Sequence, residues 1–350
     1  MSANSVIYTE NPSESIRNVV NELNPDRCFI LTDSNVRGYL ERLLTDDFNP
    51  CVIELAPGEE SKSIETVLKI IDALIDGGAT RRSLLINFGG GVVSDTGGFA
   101  ASIFKRGIKY VNVPTTVLSA ADAAIGGKTG VDYRGLKNEI GVFAKPQRVI
   151  ICPSWFKTLG RDELLSGFGE IVKMALITSP EIYGELVSKD ALTDEALFEV
   201  ALLNASRQKE RIVSLDPTEK GLRRILNFGH TAGHAFEMSA AMKGKPVPHG
   251  AAVAYGILVA LWLSEIYCSL DSDVAKEFKC GILDRYYDRL PLDRGDIEEL
   301  LRIMSHDKKN SKHGVPSFVL LEQPGKPVEA FEPAPDVLRG VLERYFDSIH

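Results

Sequence analysis

The stretch "INFGGGVVSD", residues 86–95, places three consecutive glycines between an apolar run and the start of a helical pattern. Glycines at such a junction let the backbone approach a pyrophosphate, which the amino terminus of the following helix stabilises. Gly89 and Gly91 match the GxGxxG fingerprint, but Ser94 occupies its third glycine position. The stretch therefore predicts either a nucleotide-binding turn or an ordinary glycine-rich turn after a strand.

Short β-rich runs surround this turn and extend it into an α/β pattern. The predicted strands are "RCFILTD" (27–33), "PCVIEL" (50–55), "SLLINF" (83–88), "YVNVPTT" (110–116) and "RVIICP" (148–153). Between the second and third, "IETVLKIIDALIDGG" carries apolar residues at helical spacing and ends in glycine. Alternation of this kind predicts a mostly parallel sheet covered by helices.

After residue 160 the pattern becomes helical. The predicted helices are "RDELLSGFGEIVKMALI", "TDEALFEVALLNASRQKERIVSL", "GLRRILNFGHTAGHAFEMSA", "HGAAVAYGILVALWLSEIYCSL" and "DIEELLRIMS", and only "VPSFVLLE" (315–322) predicts a strand. We therefore predict a Rossmann-like α/β domain over residues 1–157, followed by a mainly α-helical domain over residues 158–350.

Composition and charge restrict the functional class. A formal net charge of −8 argues against a general nucleic-acid partner. The longest apolar run, residues 251–263, is shorter than the ~20 residues that span a bilayer, so we predict a buried helix and no membrane partner. The start of the sequence lacks signal-peptide features, and the five scattered cysteines contain no CxxC pair. These features predict a soluble cytoplasmic protein with reduced thiols.

Two further strand ends carry polar groups that suit a nucleotide. Asp33 ends an early strand, where a carboxylate can accept ribose hydroxyls, although a helix cap within "TDSNV" is an equally good interpretation. Thr115 and Thr116 end another strand with two hydroxyls. If these ends share one sheet edge with the glycine turn, they outline a dinucleotide site.

Lysines beside glycines indicate an anionic ligand. "AADAAIGGKTG" (120–130) and "GLKNEIG" (135–141) are predicted to be loops, and Arg106 precedes them. A single lysine is more often a solvated surface residue. Together with Asp122, however, these cations are more typical of a substrate site than of a random surface.

Histidines and a glutamate in the helical half suggest a metal. His230 and His234 are four residues apart and share a helix face, and His249 begins the next predicted helix. Glu170 and Lys173 share one face of an otherwise apolar helix and need partners there. One glutamate and two histidines would satisfy a catalytic zinc with an open position, but spacing leaves open which two histidines bind.

These parts together predict one kind of chemistry. A metal can favour the alkoxide of a substrate hydroxyl, and a nicotinamide can then accept hydride from that carbon. Further cations would hold a phosphate or carboxylate, although a solvated helix face is the commoner fate of such residues: Lys209, Arg223, Lys308 and Lys309. The residues alone therefore predict metal-dependent alcohol oxidation on an anionic, phosphorylated substrate.

Beyond these individual residues, the chain resembles the 3-dehydroquinate synthase family of sugar-phosphate cyclases over nearly its whole length. The matching stretches are "PGEESKS", "GGGVVSDTGGF", "KRGI", "PTT", "GGKTGVDYRGLKN", "GEIVK", "EKGLRRILNFGHTAGHAFE", "HGAAV" and "DKK". The resemblance implies a carbon–oxygen lyase of the shikimate pathway, which leads to chorismate and the aromatic amino acids. It would convert 3-deoxy-D-arabino-heptulosonate 7-phosphate into 3-dehydroquinate and phosphate. NAD would be reduced only transiently, and Zn²⁺ or Co²⁺ would be the metal.

The resemblance also assigns roles to residues. The implied metal ligands are Glu170, His230 and His249, while His234 is implied to be catalytic or to contact substrate. The implied substrate-site residues are Asp122, Lys128, Asn138, Lys173, Lys209, Arg223 and Asn227, with Arg106 and one of Lys308 or Lys309 at the phosphate. The implied NAD-binding residues are Asp33, Glu60, Lys62, Gly90, Gly91, Val92, Asp95, Thr115, Thr116, Lys128, Lys137, Thr158, Leu159 and Glu163.

Three positions depart from the family pattern on the nucleotide side: Ser94, Ala124 and Gly160. The alternatives are another sugar-phosphate cyclase, a metal-dependent alcohol or polyol dehydrogenase that would accumulate NADH, and a non-catalytic metal- and nucleotide-binding sensor. The many cations argue against the last two. The resemblance further implies a homodimer.

Overall fold

The computed structural model describes residues 5–44, 48–306 and 314–348. Two compact units make up the chain. Unit 1 consists of Met1–Gly160 together with Lys209–Pro217, and unit 2 of Arg161–Gln208 together with Thr218–His350.

The strands of unit 1 form a parallel sheet and a separate hairpin. They are β1 (Val6–Tyr8), β2 (Cys28–Asp33), β3 (Cys51–Leu55), β4 (Leu84–Gly89), β5 (Lys109–Pro114), β6 (Lys128–Tyr133), β7 (Leu136–Phe143) and β8 (Val149–Ile151). Six of them pair in parallel in the order β1-β8-β5-β4-β2-β3. The five predicted strands and the parallel sheet are confirmed, and β1 was not predicted.

Helices cover both faces of this sheet. They are α1 (Pro12–Leu23), α2 (Ile64–Asp76) and α3 (Gly91–Ile103). Phe29 and Leu31 of β2 pack into a core that includes residues of α2 and α3, whereas Ile30 between them packs into a core that includes residues of α1. This division follows from the two-residue period of a strand. All six residues of β4 are buried, as expected for a central strand covered on both faces.

The prediction of loops over residues 120–141 is wrong for much of that stretch. β6 and β7 pair antiparallel, with Gly130 opposite Gly141. Seven of the eight residues of β7 are exposed, so the sequence lacks the alternation that normally reveals a strand. The two glycines allow a close approach, because a Cβ on Gly141 would lie 2.4 Å from the backbone oxygen of Thr129.

Unit 2 is mainly helical, as predicted. Its helices are α4 (Arg161–Thr178), α5 (Pro180–Ser188), α6 (Glu195–Leu215), α7 (His230–Met242), α8 (His249–Cys268), α9 (Ser272–Phe278), α10 (Asp284–Tyr286), α11 (Ile297–Ser305) and α12 (Pro335–Ser348). The last residues of α6, from Lys209, belong to unit 1. The antiparallel strands β9 (Phe318–Gln323) and β10 (Lys326–Phe331) complete the unit, and β10 was not predicted.

The central helix of unit 2 is α8. By length and composition alone it could cross a membrane, but 78% of its apolar window is buried inside the protein. This burial confirms the prediction of a core helix. Because α8 is apolar on every side, α4, α7 and strand β9 can all pack against it.

Candidate active site

Glycines bring three helices of unit 2 unusually close together. A Cβ on Gly169 of α4 would lie 2.4 Å from the backbone oxygen of Gly250 in α8. On another side of α8, a Cβ on Gly256 would lie 2.0 Å from the backbone oxygen of Gly229, which precedes α7 and has a φ of +76°. Larger residues would push these backbones apart, so the glycines determine where the neighbouring polar side chains lie.

Those neighbours form a compact cluster of metal-ligand types. Glu170 follows Gly169, His230 is the first residue of α7, and His249 is the first residue of α8. One ligand atom from each of the three residues lies within 4.8 Å of the other two. Glu170 Oε1 is 3.3 Å from His230 Nε2 and 3.5 Å from His249 Nε2. The spacing of the histidines in the sequence did not indicate which two of them would bind a metal. In the structure, His230 and His249 are the two that lie beside Glu170.

The charge of Glu170 is held by buried neighbours. Its side chain is fully buried, and Lys173, 1% exposed, forms an ion pair with its Oε2 atom. Burial opposes ionisation, but Lys173 and His230 outweigh it and hold the pKa of the Glu170 carboxyl well below its usual range. Within the described part of the chain, neither carboxylate oxygen has a hydrogen-bond partner of good geometry. Two such oxygens beside two imidazoles suit a divalent cation.

Each histidine of the cluster is anchored through its other ring nitrogen. His230 Nδ1 donates to the backbone oxygen of Phe228 at 3.2 Å, and His249 Nδ1 donates to Glu237 Oε2 at 3.0 Å. Burial lowers the pKa of His249, but the neighbouring carboxylates of Glu170 and Glu237 outweigh burial and raise it to about 9 in the metal-free protein. The ring of His234 lies 5.2 Å from that of His230, between centroids, and is not part of the ligand cluster.

Sequence analysis missed Glu237, although it ends the motif that carries the histidines. It lies seven residues after His230 and three after His234. Residues three, four and seven apart share a helix face, so this spacing was the available signal.

Other predicted substrate-site residues of unit 2 lie near the start of α7. Arg223 is 2% exposed in the 3₁₀ turn Leu222–Asn227, and the side chain of Asn227 donates to Glu219 Oε1 at 2.8 Å. Glu163, which was predicted to bind NAD, is exposed in the first turn of α4. Lys308 and Lys309 lie outside the described residues.

The predicted nucleotide residues of unit 1 lie at one edge of the parallel sheet. Asp33, Gly89 and Pro114 end β2, β4 and β5, whose carboxyl ends share an edge. Gly90 precedes α3, and no side chain caps that helix, so its first backbone N–H groups are available to a ligand. Thr115 is buried, and its hydroxyl has no partner among the described residues.

Three contacts show how the side chains at this sheet edge are held. Asp33 Oδ1 accepts a bond from the backbone N–H of Asn35, so a local turn uses one of its oxygens. A Cβ on Gly90 would lie 3.2 Å from Thr116, which leaves little room for any other residue there. The Ser94 hydroxyl hydrogen-bonds with that of Ser119 at 3.3 Å, so this departure from the family pattern is accommodated inside the protein.

A buried ion pair lies beside the glycine turn. Lys62 Nζ is 2.7 Å from Asp95 Oδ2. Burial raises the pKa of Asp95 despite the lysine, whereas burial opposes the charge of Lys62 and the nearby acidic groups raise its pKa. Glu60, two residues earlier, is exposed, and Val92 lies partly buried in the first turn of α3.

Asp122 and Lys209 meet in unit 1 although they are far apart in sequence. Lys209 is 4% exposed, and its Nζ donates to the backbone oxygen of Asp122 at 2.6 Å and to its carboxylate. A buried chain supports the same segment: Asn87 donates to Asn112, and Asn112 donates to the backbone oxygen of Ala124, each at 2.9 Å. The Asp122 turn is thus held from two sides.

The remaining predicted residues of unit 1 are more exposed. Lys128 begins β6, and Lys137 and Asn138 lie on β7, where the backbone N–H of Asn138 donates to Asp132 at 2.8 Å. Arg106 is exposed in the turn after α3. The Thr158 hydroxyl accepts a bond from Tyr39 at 3.0 Å and donates to the Trp155 backbone, and Leu159 follows it.

Two family models match adjoining parts of the chain. The model of the 3-dehydroquinate synthase N-terminal region matches residues 52–166, and that of the C-terminal region matches residues 167–310. A 3-dehydroquinate synthase of Parabacteroides distasonis is 40% identical over 329 residues, which are 93% of each chain.

Solved structures show the same fold. A 2-deoxy-scyllo-inosose synthase, solved with carbaglucose-6-phosphate, NAD⁺ and Co²⁺, superposes with a TM-score of 0.82 at 22% identity, covering 97% of this chain and 96% of its own. The 2-epi-5-epi-valiolone synthase of Streptomyces hygroscopicus subsp. jinggangensis, with NAD⁺ and Zn²⁺ bound, gives 0.81 at 24% identity, covering 99% and 98%. With the family models matching most of its length, the chain belongs to the 3-dehydroquinate synthase family.

Proposed function

We propose that this protein is a 3-dehydroquinate synthase that releases phosphate from 3-deoxy-D-arabino-heptulosonate 7-phosphate with NAD and a divalent metal, Zn²⁺ or Co²⁺. The observation that carries the proposal is the buried cluster of Glu170, His230 and His249 beside Lys173 in a chain of this family. The product, 3-dehydroquinate, is an intermediate of the shikimate pathway.

The residues present fit both groups. Two imidazole nitrogens and one carboxylate make a three-ligand set of the catalytic type, which leaves a position for substrate. Gly90 and the start of α3 suit a pyrophosphate, because Gly90 has no side chain of its own and the helix has no side-chain cap among the described residues. When bound, the metal would favour the alkoxide of the reacting hydroxyl, and NAD would take up a hydride and later return it.

The chain's own cations would hold and orient the substrate. Arg223 is nearly fully buried and can bind a carboxylate or phosphate through two N–H groups. Lys209 is held by Asp122, so its position is established before substrate arrives. We assign substrate contacts also to Lys128, Asn138, Lys173 and Asn227, and phosphate contacts to Arg106 and to one of Lys308 and Lys309.

Proton transfer falls to His234 in this proposal. Its ring lies 5.2 Å from that of His230 and 5.9 Å from that of His249, between centroids, so it borders the ligand cluster without belonging to it. An imidazole that borders the site can act as a general acid or base. The pair that opens the motif would therefore serve two tasks, with His230 as ligand and His234 as proton carrier.

The nucleotide contacts would come mainly from the sheet edge of unit 1. Asp33 would bind ribose hydroxyls, and Gly90 and Gly91 would approach the pyrophosphate. The remaining proposed contacts are Glu60, Lys62, Val92, Asp95, Thr115, Thr116, Lys128, Lys137, Thr158, Leu159 and Glu163. Lys62 and Asp95 already form an ion pair with each other. We therefore expect the two side chains to influence NAD binding together, through the combined charge of the pair.

The test is phosphate release from 3-deoxy-D-arabino-heptulosonate 7-phosphate with NAD and Zn²⁺, before and after chelation, while absorbance is monitored for NADH. We expect metal-dependent release, dehydroquinate as product and no net NADH. Steady accumulation of NADH would indicate a dehydrogenase instead. No turnover would contradict the proposed substrate, and other sugar phosphates would then be assayed for a related cyclase.

Two further properties belong to the proposal. We expect a cytoplasmic homodimer, and mass photometry or analytical ultracentrifugation would show the oligomeric state. We further propose a functional division at residue 157, with most of the NAD contacts within residues 1–157 and the metal and most of the substrate contacts within residues 158–350.

A further inference from the structure

Glu237 lies against the candidate metal centre without belonging to it. Its Oε2 atom accepts a hydrogen bond from His249 Nδ1 at 3.0 Å, while His249 Nε2 faces Glu170 on the other side of the ring. The ligand cluster, in which atoms lie within 4.8 Å of one another, includes His249 and not Glu237. The carboxylate therefore contacts the back of a ligand.

We propose that Glu237 is a positioning residue, which fixes the tautomer and ring orientation of His249 and thereby strengthens metal binding. This inference rests on the metal site proposed above. A carboxylate can only accept from the imidazole, so the Nδ1 atom carries the hydrogen. The second proton, which the ring holds in the metal-free protein, must then leave from Nε2 when a metal binds, and this exposes the lone pair of that nitrogen. A ligating nitrogen needs that lone pair.

The two histidines differ in the kind of anchor they have. His230 is held by the backbone oxygen of Phe228, which lies two residues earlier and is fixed by the local turn. His249 is held instead by a side chain twelve residues away, on the preceding helix. Only the second anchor can be removed by substitution, so Glu237 offers a direct test of what the anchor contributes.

The position of Glu237 also favours a specific role over general packing. Its side chain is 15% exposed, so it is largely shielded, and a charge there needs a partner. Carboxylates that orient a ligating histidine commonly account for a 10–100-fold difference in metal affinity. Glu265 provides a matched control, because it is also 15% exposed, lies in the same unit and pairs with Arg344.

The experiment measures Zn²⁺ affinity of the full-length, metal-stripped protein by competition with a chromogenic chelator. We compare the unsubstituted chain with Glu237→Ala, Glu237→Gln and Glu265→Gln. We expect affinity to fall about 10–100-fold in Glu237→Ala and by a smaller factor, about threefold or more, in Glu237→Gln, whose amide oxygen still accepts but carries no charge. Glu265→Gln should stay within about twofold of the unsubstituted chain.

A second readout separates positioning from loss of structure. Co²⁺ bound to Glu237→Gln should give a visible absorption spectrum that differs from that of the unsubstituted chain, while Glu265→Gln should leave the spectrum unchanged. A purely structural role for Glu237 would lower the unfolding temperature of the metal-free protein without changing the ligand field.

The possible outcomes test the role of Glu237 separately from the proposed metal site. Glu237→Ala with affinity within twofold of the unsubstituted chain, or Glu265→Gln weakened equally, would overturn the inference alone. If Glu237→Ala does not fold, Glu237→Gln decides: affinity and Co²⁺ spectrum both unchanged would overturn the inference. No Zn²⁺ binding by the unsubstituted chain would overturn the proposed metal site and this inference with it.

Discussion

Replacing Lys173 with methionine should destabilise the metal-free protein by about 3–5 kcal/mol, the typical cost of removing one partner of a buried ion pair. The structure supports a loss of this size, because Glu170 is fully buried and Lys173 is 1% exposed. Methionine keeps much of the length and the apolar stem of lysine, so packing changes little. The loss therefore measures the electrostatic contribution of the ammonium group.

The assay is thermal and urea unfolding of the chelated protein, followed by circular dichroism. For a unit of this size, each 1 kcal/mol shifts the midpoint by about 2–4 °C, so we expect a decrease of about 6–20 °C. Saturating Zn²⁺ should recover most of this decrease, because a cation held by Glu170, His230 and His249 returns the missing positive charge.

Lys189→Met is the matched control. Lys189 forms an ion pair with Glu185 one helical turn away, but both side chains are about half exposed. Solvent screens such a pair, so its loss should leave the midpoint unchanged. If Lys173→Met shifted the midpoint by less than about 2 °C, and thus no more than the control, the carboxylate of Glu170 would not depend on Lys173, and the electrostatic account of the site would be refuted.

Three other predictions concern unit 1, a surface helix and the cysteines. Asn112→Leu would leave a buried amide donor and a buried carbonyl without partners, so urea unfolding should show a loss of about 2–6 kcal/mol; a loss below 1 kcal/mol would contradict this. Gly97→Ala should destabilise by about 1–3 kcal/mol, because its Cβ would lie 2.0 Å from a buried side-chain oxygen, whereas Gly184→Ala, with nothing within 4 Å, should stabilise slightly; equal effects on the unfolding midpoint would refute the packing argument. Iodoacetamide at pH 8 should modify exposed Cys51 well before Cys28, because burial raises the pKa of the Cys28 thiol to about 11 and leaves only about one thiolate in a thousand; peptide mass spectrometry that found Cys28 modified first would contradict this.

The parallel sheet was predictable because its central strands are largely buried on both faces. β4, for example, is buried along its whole length, and its sequence is apolar except for Asn87 and ends in glycine. The hairpin of β6 and β7 was not predictable by the same rule. Its outer strand is almost entirely exposed, so pairing of the backbone, and not burial of side chains, specifies it.

The candidate site was predictable by residue type and only partly by arrangement. Helical spacing placed His230 and His234 on one face, but it could not tell which of them meets Glu170, since that depends on how α4, α7 and α8 pack. The contact between Glu237 and His249 has the same cause, because it joins two helices. Periodicity describes one helix at a time and gives no distances between helices.

The sequence nevertheless contains a trace of that packing, in the glycine beside each of the three candidate ligands. Gly169 precedes Glu170, Gly229 precedes His230, and Gly250 follows His249. Each of these glycines meets backbone of a neighbouring helix at a distance that a Cβ could not tolerate. The backbone of a ligand next to such a contact is restrained by packing, since close-packed backbones have little freedom to shift. These glycines therefore help to determine where the candidate ligands lie, and a glycine adjacent to each candidate ligand is the trace that the close approach of these helices leaves in the sequence.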